Sequence, residues 1–398
     1  MRVTARGYGV LAAGLALLAG GYWFGYPELA VLGCACVVAV AGALAFVAWR
    51  PKLRVRRAAD PDRVMRGEPS HVTLHISNAS RLFGASLVAR DRCESAISPT
   101  RGRVATVPVP LVRLRRGRVT AVDYLVPTSR RGVVEVGPLE ITRRDPLALV
   151  GVVRRYGDSA RVWVRPRVHT IAAVPVGLSR SMDGRVDRVP HGSITFAALR
   201  EYVVGDDLRH VHWRTSARVG ELMVREHVDT SLPRVVVLLD DRAAAHTPDA
   251  EGESTFEAAC EAAASVVVAA VRERVHVEVQ LVTGAAQSAG YEDVGPLLDL
   301  LAEATLAGDG STRDSDLLRT AAERLRVRRV GDTLLYLTGP ADQDDLGIIA
   351  GLRGAYPSII AAVFGTVEGG LDTTAGLLVV GASDGADFAA AWDGVRAW

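Results

Sequence analysis

Two uninterrupted apolar runs at the amino terminus constrain this chain more than any other feature. Gly7 to Phe24 and Ala30 to Trp49 contain no charged residue. Each approaches the roughly 20 residues that a helix needs to cross about 30 Å of hydrocarbon. Gly25-Tyr26-Pro27-Glu28 supplies a turn between them, so the pair reads as a transmembrane α-hairpin. Tyr22, Trp23, Tyr26 and Trp49 fall where aromatic side chains settle at membrane–water boundaries. A secretory signal peptide ending near Gly21 fits less well, because a second apolar run follows at once and no small-x-small cleavage site precedes it. Arg2 and Arg6 precede the hairpin, and Arg50, Lys52, Arg54, Arg56 and Arg57 follow it, while the connecting turn carries no positive charge. The positive-inside rule then places both termini and the soluble remainder in the cytoplasm of a multi-pass cell-membrane protein.

Behind the hairpin, a chain of 398 residues is long enough for two soluble domains with their own cores. The formal net charge of +2 gives no global electrostatic case for nucleic acid. Lys52 is the only lysine among 47 basic residues, a bias that reads first as the codon usage of a GC-rich genome. Arginine nonetheless never loses its charge and makes forked contacts with carboxylates. Cys34 and Cys36 lie in an apolar run, and Cys93 and Cys260 are far apart, which is no disulfide framework and suits a reducing compartment.

The organisation predicted is a hairpin over 1–52, a β domain over 53–167, a motif-bearing linker over 168–232 and an α/β domain over 233–398. Short apolar-alternating segments at 72–76, 86–89, 104–109, 119–126, 133–136 and 162–164 are separated by Gly, Pro and Asp breaks. That spacing suggests an immunoglobulin-like β-sandwich. Arg113 to Arg118 reads as a solvated strand end and loop, with a basic patch touching anionic lipid as the alternative. From Pro233 the period changes. Val235 to Asp240 is a continuous apolar strand ending in acids, and Ser254-Thr255-Phe256-Glu257 is a capping box before a helix to about Val271. Strands at 275–281, 333–338, 359–364 and 377–380 alternate with helices at 314–328 and 387–396, which argues a doubly wound α/β layer.

The segment from Phe196 to Arg225 concentrates chemistry. Gly205-Asp206-Asp207 can close one segment and cap a helix that Gly220 ends, and Glu221 to Val228 alternates like a strand. Arg200-Glu201-Tyr202, then Gly205-Asp206-Asp207-Leu208-Arg209, then Val211-His212-Trp213 and Ser216-Ala217-Arg218 follow one order. That order resembles the signature of the domain of unknown function 58 family. Two further runs agree: Arg130-Arg131-Gly132 through Gly137-Pro138 to Asp145-Pro146-Leu147-Ala148-Leu149, and Val164-Arg165-Pro166. Ala148 departs from the family, in which glycine is usual at that place.

The resemblance implies a von Willebrand factor A-like α/β domain and a partnership with MoxR-type AAA+ ATPases in chaperone-like maturation or envelope-related assembly. Domains of that type often hold a divalent cation on D-x-S-x-S after the first strand, since carboxylate and hydroxyl oxygens suit Mg²⁺. Here the run is Asp240-Asp241-Arg242-Ala243-Ala244, so both serines are lost and Arg242 brings a cation of its own. Asp240 and Asp342 are weak metal candidates, and no metal or other cofactor is expected. The preferred reading of Arg200, Glu201, Tyr202, Gly205, Asp206, Asp207, Arg209, Trp213, Ser216 and Arg218 is a structural and interactive core. Its acids would pair with its arginines, and Trp213 would anchor the helix on a neighbouring layer. The chain is then a membrane-anchored scaffold or interaction protein rather than an enzyme. The alternative is a hydrolase or metal-dependent enzyme centred on Asp206, Asp207 and His212. His210 and His212, two apart on a helix, would point to different sides and share no ion easily. Ser216 has no G-x-S-x-G setting, and Gly308 to Thr312 lacks the lysine of a P-loop.

Overall fold

The computed structural model describes residues 2–48, 53–78, 88–95, 105–109, 119–174, 195–202, 211–228, 234–247, 254–289, 293–307, 314–328, 331–340, 343–365, 371–374 and 377–395. They form two compact units, Met1–Arg165 and Pro166–Trp398.

The first unit opens with strand β1 (Arg2–Val3) and the helices α1 (Ala5–Phe24) and α2 (Pro27–Ala48). Their 20 and 22 residues, at about 1.5 Å each, match the thickness of a hydrocarbon core. Gly25 ends α1 in a left-handed cap, and Pro27 opens α2, one residue inside the turn expected from sequence. The helices meet through small residues, Gly14 lying against Cys36 and Gly33 against Leu18, as in close membrane-type packing. Most of their apolar surface is uncovered: Tyr22 is 91% exposed, Trp23 83% and Val31 70%. A surface of that kind, on helices of that length, is consistent with a membrane environment.

The strands that follow are β2 (Leu53–Asp60), β3 (Arg63–Met65), β4 (His71–Asn78), β5 (Val88–Ser95), β6 (Ala105–Val109), β7 (Val119–Leu125), β8 (Gly132–Val136), β9 (Leu139–Arg144), β10 (Val150–Tyr156) and β11 (Ala160–Arg165). One sheet runs β1-β10-β9-β5-β8-β11-β3, with β6 also on β5, and the second runs β2-β4-β7. Both sheets contribute to one core, in which Val72, Leu74 and Ile76 of β4 meet Val134, Val136 and Ile141 of the larger sheet. An ionic group sits inside this core. Arg57 bonds both oxygens of Asp91, at 2.7 and 2.6 Å, and Tyr124 donates its hydroxyl to the same carboxylate. Gly137, at φ +108°, lies where a Cβ would collide with the Arg57 guanidinium, which explains the glycine of the Gly137-Pro138 step.

The second unit begins with Pro166 to Val174, pinned on two helices. His169 bonds Glu261 at 2.9 Å, Arg272 donates to the Ile171 carbonyl and Trp392 to that of Ala173. The elements that follow are β12 (Thr195–Glu201), α3 (Trp213–Val219), β13 (Met223–Val228), β14 (Arg234–Leu239), α4 (Thr255–Arg272), β15 (His276–Leu281), β16 (Ala286–Ala289), α5 (Gly295–Glu303) and α6 (Asp314–Arg328). The last are β17 (Thr333–Thr338), α7 (Gln343–Ala350), β18 (Ser358–Phe364), β19 (Leu371–Thr374), β20 (Leu377–Ala382) and α8 (Gly385–Gly394). β12 and β13 form an antiparallel pair, and the rest make a seven-stranded sheet ordered β16-β15-β14-β17-β18-β20-β19. Its five inner strands are parallel and its two edges antiparallel. α4 packs against β14, β15, β17 and β18. Another apolar cluster joins Leu318 and Leu325 of α6 and Ile349 of α7 to Val236, Leu238 and Leu334. Strands covered this heavily are mostly apolar, and every residue of β17 is buried.

Several expected elements lie elsewhere. The strand expected at 86–89 runs through Val88–Ser95. Of the helix expected from Asp206, the described part is Trp213–Val219, and Val211 before it is held in a bridge with Val224. Arg113 to Arg118 fall outside the described residues.

Candidate functional site

Two places gather the polar residues singled out from sequence. The first is the β12–α3–β13 segment. β12 sets Arg200 opposite Val224 and Glu201 opposite Met223, and the Tyr202 N–H continues the pairing to the Leu222 carbonyl at 2.8 Å. His212 caps α3, its Nδ1 accepting from the Thr215 N–H at 3.2 Å and lying 2.7 Å from the Thr215 hydroxyl. That ring is engaged in a cap, a role sequence reasoning missed. Gly220 closes the helix at φ +85°, as expected. Ser216 is the buried residue of α3, and its hydroxyl accepts the Met223 N–H at 2.8 Å.

Trp213 corrects an expectation. It is 65% exposed, so most of its ring is not seated on a neighbouring layer of the described residues. It stands at the first position of a helix only seven residues long, whose inward side is taken by Ser216. Arg218 is exposed as well. Gly205, Asp206, Asp207 and Arg209 lie outside the described residues, as does Asp342.

The second place is the carboxyl end of the parallel strands. From β14 the chain moves to β15 on one side and later to β17 on the other, so strand order reverses between β14 and β17. Open α/β sheets carry their ligand crevice at such a switch point. Asp240 leaves β14 there, fully buried. Its Oδ1 accepts from the Arg242 N–H at 3.1 Å and from Arg242 Nε at 2.9 Å. Its Oδ2 accepts from Arg242 Nη2 at 2.7 Å, the Tyr336 hydroxyl at 2.6 Å and the Thr338 hydroxyl at 3.0 Å. Arg242 also reaches Asp345, in the first turn of α7, with Nη2 2.7 Å from Oδ2. The guanidinium thus lies between two carboxylates, with 4% of its side chain exposed.

Neighbouring groups hold this arrangement. His246 Nε2 lies 2.7 Å from the Asp240 carbonyl oxygen, which can only accept, so Nε2 carries the proton and Nδ1 receives the Thr255 hydroxyl at 3.0 Å. Asp241 turns the other way, accepting the Thr283 N–H at 3.0 Å and the Thr283 hydroxyl.

The electrostatics follow from burial and pairing. Burial opposes the Asp240 charge, but the bonds from Arg242 outweigh it and keep that carboxyl below its ordinary pKa. Burial likewise opposes the Arg242 charge, and Asp240 and Asp345 reverse the balance, raising its pKa. Burial lifts the Asp241 pKa against its Thr283 bonds and lowers that of His246. Asp240, the weak metal candidate, therefore has both oxygens committed, and a divalent ion does not fit beside a guanidinium in its place. No group of three or more His, Cys, Asp or Glu suited to a metal occurs among the described residues. Sequence reasoning found Asp240 and Arg242 but missed Asp345, Tyr336 and Thr338. The available signal was a Tyr and a Thr inside a strand otherwise apolar enough to be buried.

No curated protein matches the chain. Among solved structures, it is similar to an alkylpurine DNA glycosylase from Pseudomonas fluorescens bound to DNA containing an abasic-site analogue, with 13% identity and a TM-score of 0.23 over 35% of this chain and 40% of that one. A CARDB domain from Pyrococcus furiosus in complex with di-metal ions gives 16% identity and a TM-score of 0.20 over 29% of this chain and 88% of that one. A β-glucosidase from Listeria innocua in complex with glucose gives 17% and 0.20 over 29% and 16%. Likenesses this slight carry no argument about fold or activity. The sequence family is another matter: residues 198–330 match the family described as Protein of unknown function DUF58, a segment that starts two residues before Arg200-Glu201-Tyr202 and takes in Asp240 and Arg242 but ends before Tyr336 and Asp345.

Proposed function

We propose that this protein is a membrane-anchored, cytoplasm-facing scaffold that binds a protein partner rather than turning over a substrate. In this reading the hairpin is the anchor and the first unit an immunoglobulin-like spacer. The second unit is a von Willebrand factor A-like platform. The partner class implied by the family resemblance is a MoxR-type AAA+ ATPase, with a role in chaperone-like maturation or envelope-related assembly. The orientation rests on Arg2 and Arg6 before the hairpin and the basic run from Arg54 to Arg57 after it.

The observation that supports this most is the closure of the Asp240–Arg242–Asp345 centre. At the crevice where an α/β sheet would take a ligand, Asp240, Arg242, Asp345 and Tyr336 bond to one another. A centre so closed holds loops in place and leaves recognition to the outer surface they form.

The test is crosslinking capture from native membranes, with the intact chain beside a form lacking residues 233–398. Recovery of a MoxR-type ATPase by the intact chain and its loss from the shortened one is the expected result. An intact, folded chain that captures no such ATPase contradicts the proposal.

A further inference from the structure

The Asp145-Pro146-Leu147-Ala148-Leu149 turn between β9 and β10 is joined to the hairpin rather than held clear of it. The Thr4 N–H donates to the Leu149 carbonyl at 2.9 Å, and the Thr4 hydroxyl to that of Ala148 at 2.8 Å. A Cβ on Gly7 would collide with the same Leu149 oxygen. Leu149, Val150 and Val152 share an apolar cluster with Val40, Ala43 and Val47 of α2. Arg143 lies over the Phe46 ring, 4.3 Å from its centroid, and Arg154 reaches the Val47 and Ala48 carbonyls.

These contacts fix a depth. β1 pairs Val3 with Val150, so the turn beyond Leu149 runs alongside the first turns of α1. Twenty helical residues span about 30 Å, which leaves no spare length to lift the turn clear of the bilayer. The turn presents Leu147 at 60% exposure, with Tyr8 at 62% and Phe46 at 41% on the neighbouring helices. Arg2 and Arg144 share one rung with Gly151 between them, both exposed, and Arg6, the second residue of α1, is exposed as well. Asp145 is buried and accepts the Leu147 and Val150 N–H groups, while Glu140 faces Arg92 and Arg155. An apolar tip collared by cations matches a headgroup layer of anionic phospholipid.

We propose that this turn lies within the headgroup layer, with Leu147 at the acyl boundary and Arg2, Arg6 and Arg144 on the phosphates of anionic lipids. The proposal rests on the hairpin spanning the membrane. The test places a nitroxide on the full chain, with Cys34→Ala and Cys36→Ala, at Leu147→Cys, at Leu32→Cys in the first half of α2 and at Val119→Cys in β7. Vesicles are phosphatidylcholine alone or with phosphatidylglycerol, and collisions with oxygen and with a water-soluble nickel complex are compared. Position 147 is expected to favour oxygen several-fold more than position 119, and to do so further with phosphatidylglycerol. Arg6→Gln with Arg144→Gln should remove that further gain. Water exposure at 147 with position 32 in lipid overturns the proposal. Immersion at 147 that ignores phosphatidylglycerol overturns its headgroup part. Water exposure at position 32 overturns the spanning hairpin itself.

Discussion

Arg242 is the residue on which the second unit's polar centre turns. It satisfies Asp240 and Asp345 from a site almost closed to water, so removing it strands a buried carboxylate. Losing one partner of such a pair costs about 3–5 kcal/mol, and Arg242→Ala should lower the stability of the second unit by that order, read as a shifted urea midpoint. His246 adds a pH dependence. Burial holds its folded pKa below the ordinary value, so its contribution is fully present above an unfolded pKa of about 6.5 and is lost as pH falls through the folded one. Asp240 behaves alike lower down, below its unfolded value of about 3.9. Asp241, with its pKa raised, works in the opposite sense, its contribution fading as pH rises through the folded value. Urea midpoints should therefore decline on acidification below about pH 6.5, and His246→Gln should flatten that first decline. Sequence alone placed Asp240 and Arg242 at the end of β14 but not Asp345. Only the closing of α7 onto β17 makes that acid a partner, and spacing along the chain does not encode it.

At the scale of elements, the legible parts were those whose pattern and burial agree. The strand at 333–338 and the helix at 314–328 lie where periodicity put them, and Ser254 caps α4 by accepting the Phe256 N–H at 3.2 Å. β9 and β10, read as LEITRR and VGVVRRY, escaped notice because arginines stand where alternation asks for apolar residues. Arg143 and Arg154 do face inward, covered by α2 rather than by the second sheet. The turn between them explains the motif from Asp145 to Leu149. Ala148 sits at φ +56°, the conformation that favours the glycine usual there, and Leu149 receives the hairpin. Gly7→Leu should pry α1 from that turn. Faster amide hydrogen exchange at Leu149 to Val152 would register it, with β4 unchanged; equal protection in both forms would deny the docking.

Across the whole molecule, one economy links the parts: a hairpin with its sandwich in the first unit, and in the second a sheet whose ligand crevice is filled from within. If the second unit is the binding platform proposed above, it needs no metal, because Arg242 puts a cation of its own beside Asp240. Titration of the full chain in detergent micelles with Mn²⁺, following the free-ion paramagnetic resonance signal, tests that most directly. The account predicts no stoichiometric, saturable uptake by the native chain. Uptake of one ion that disappears in Asp240→Asn would contradict it.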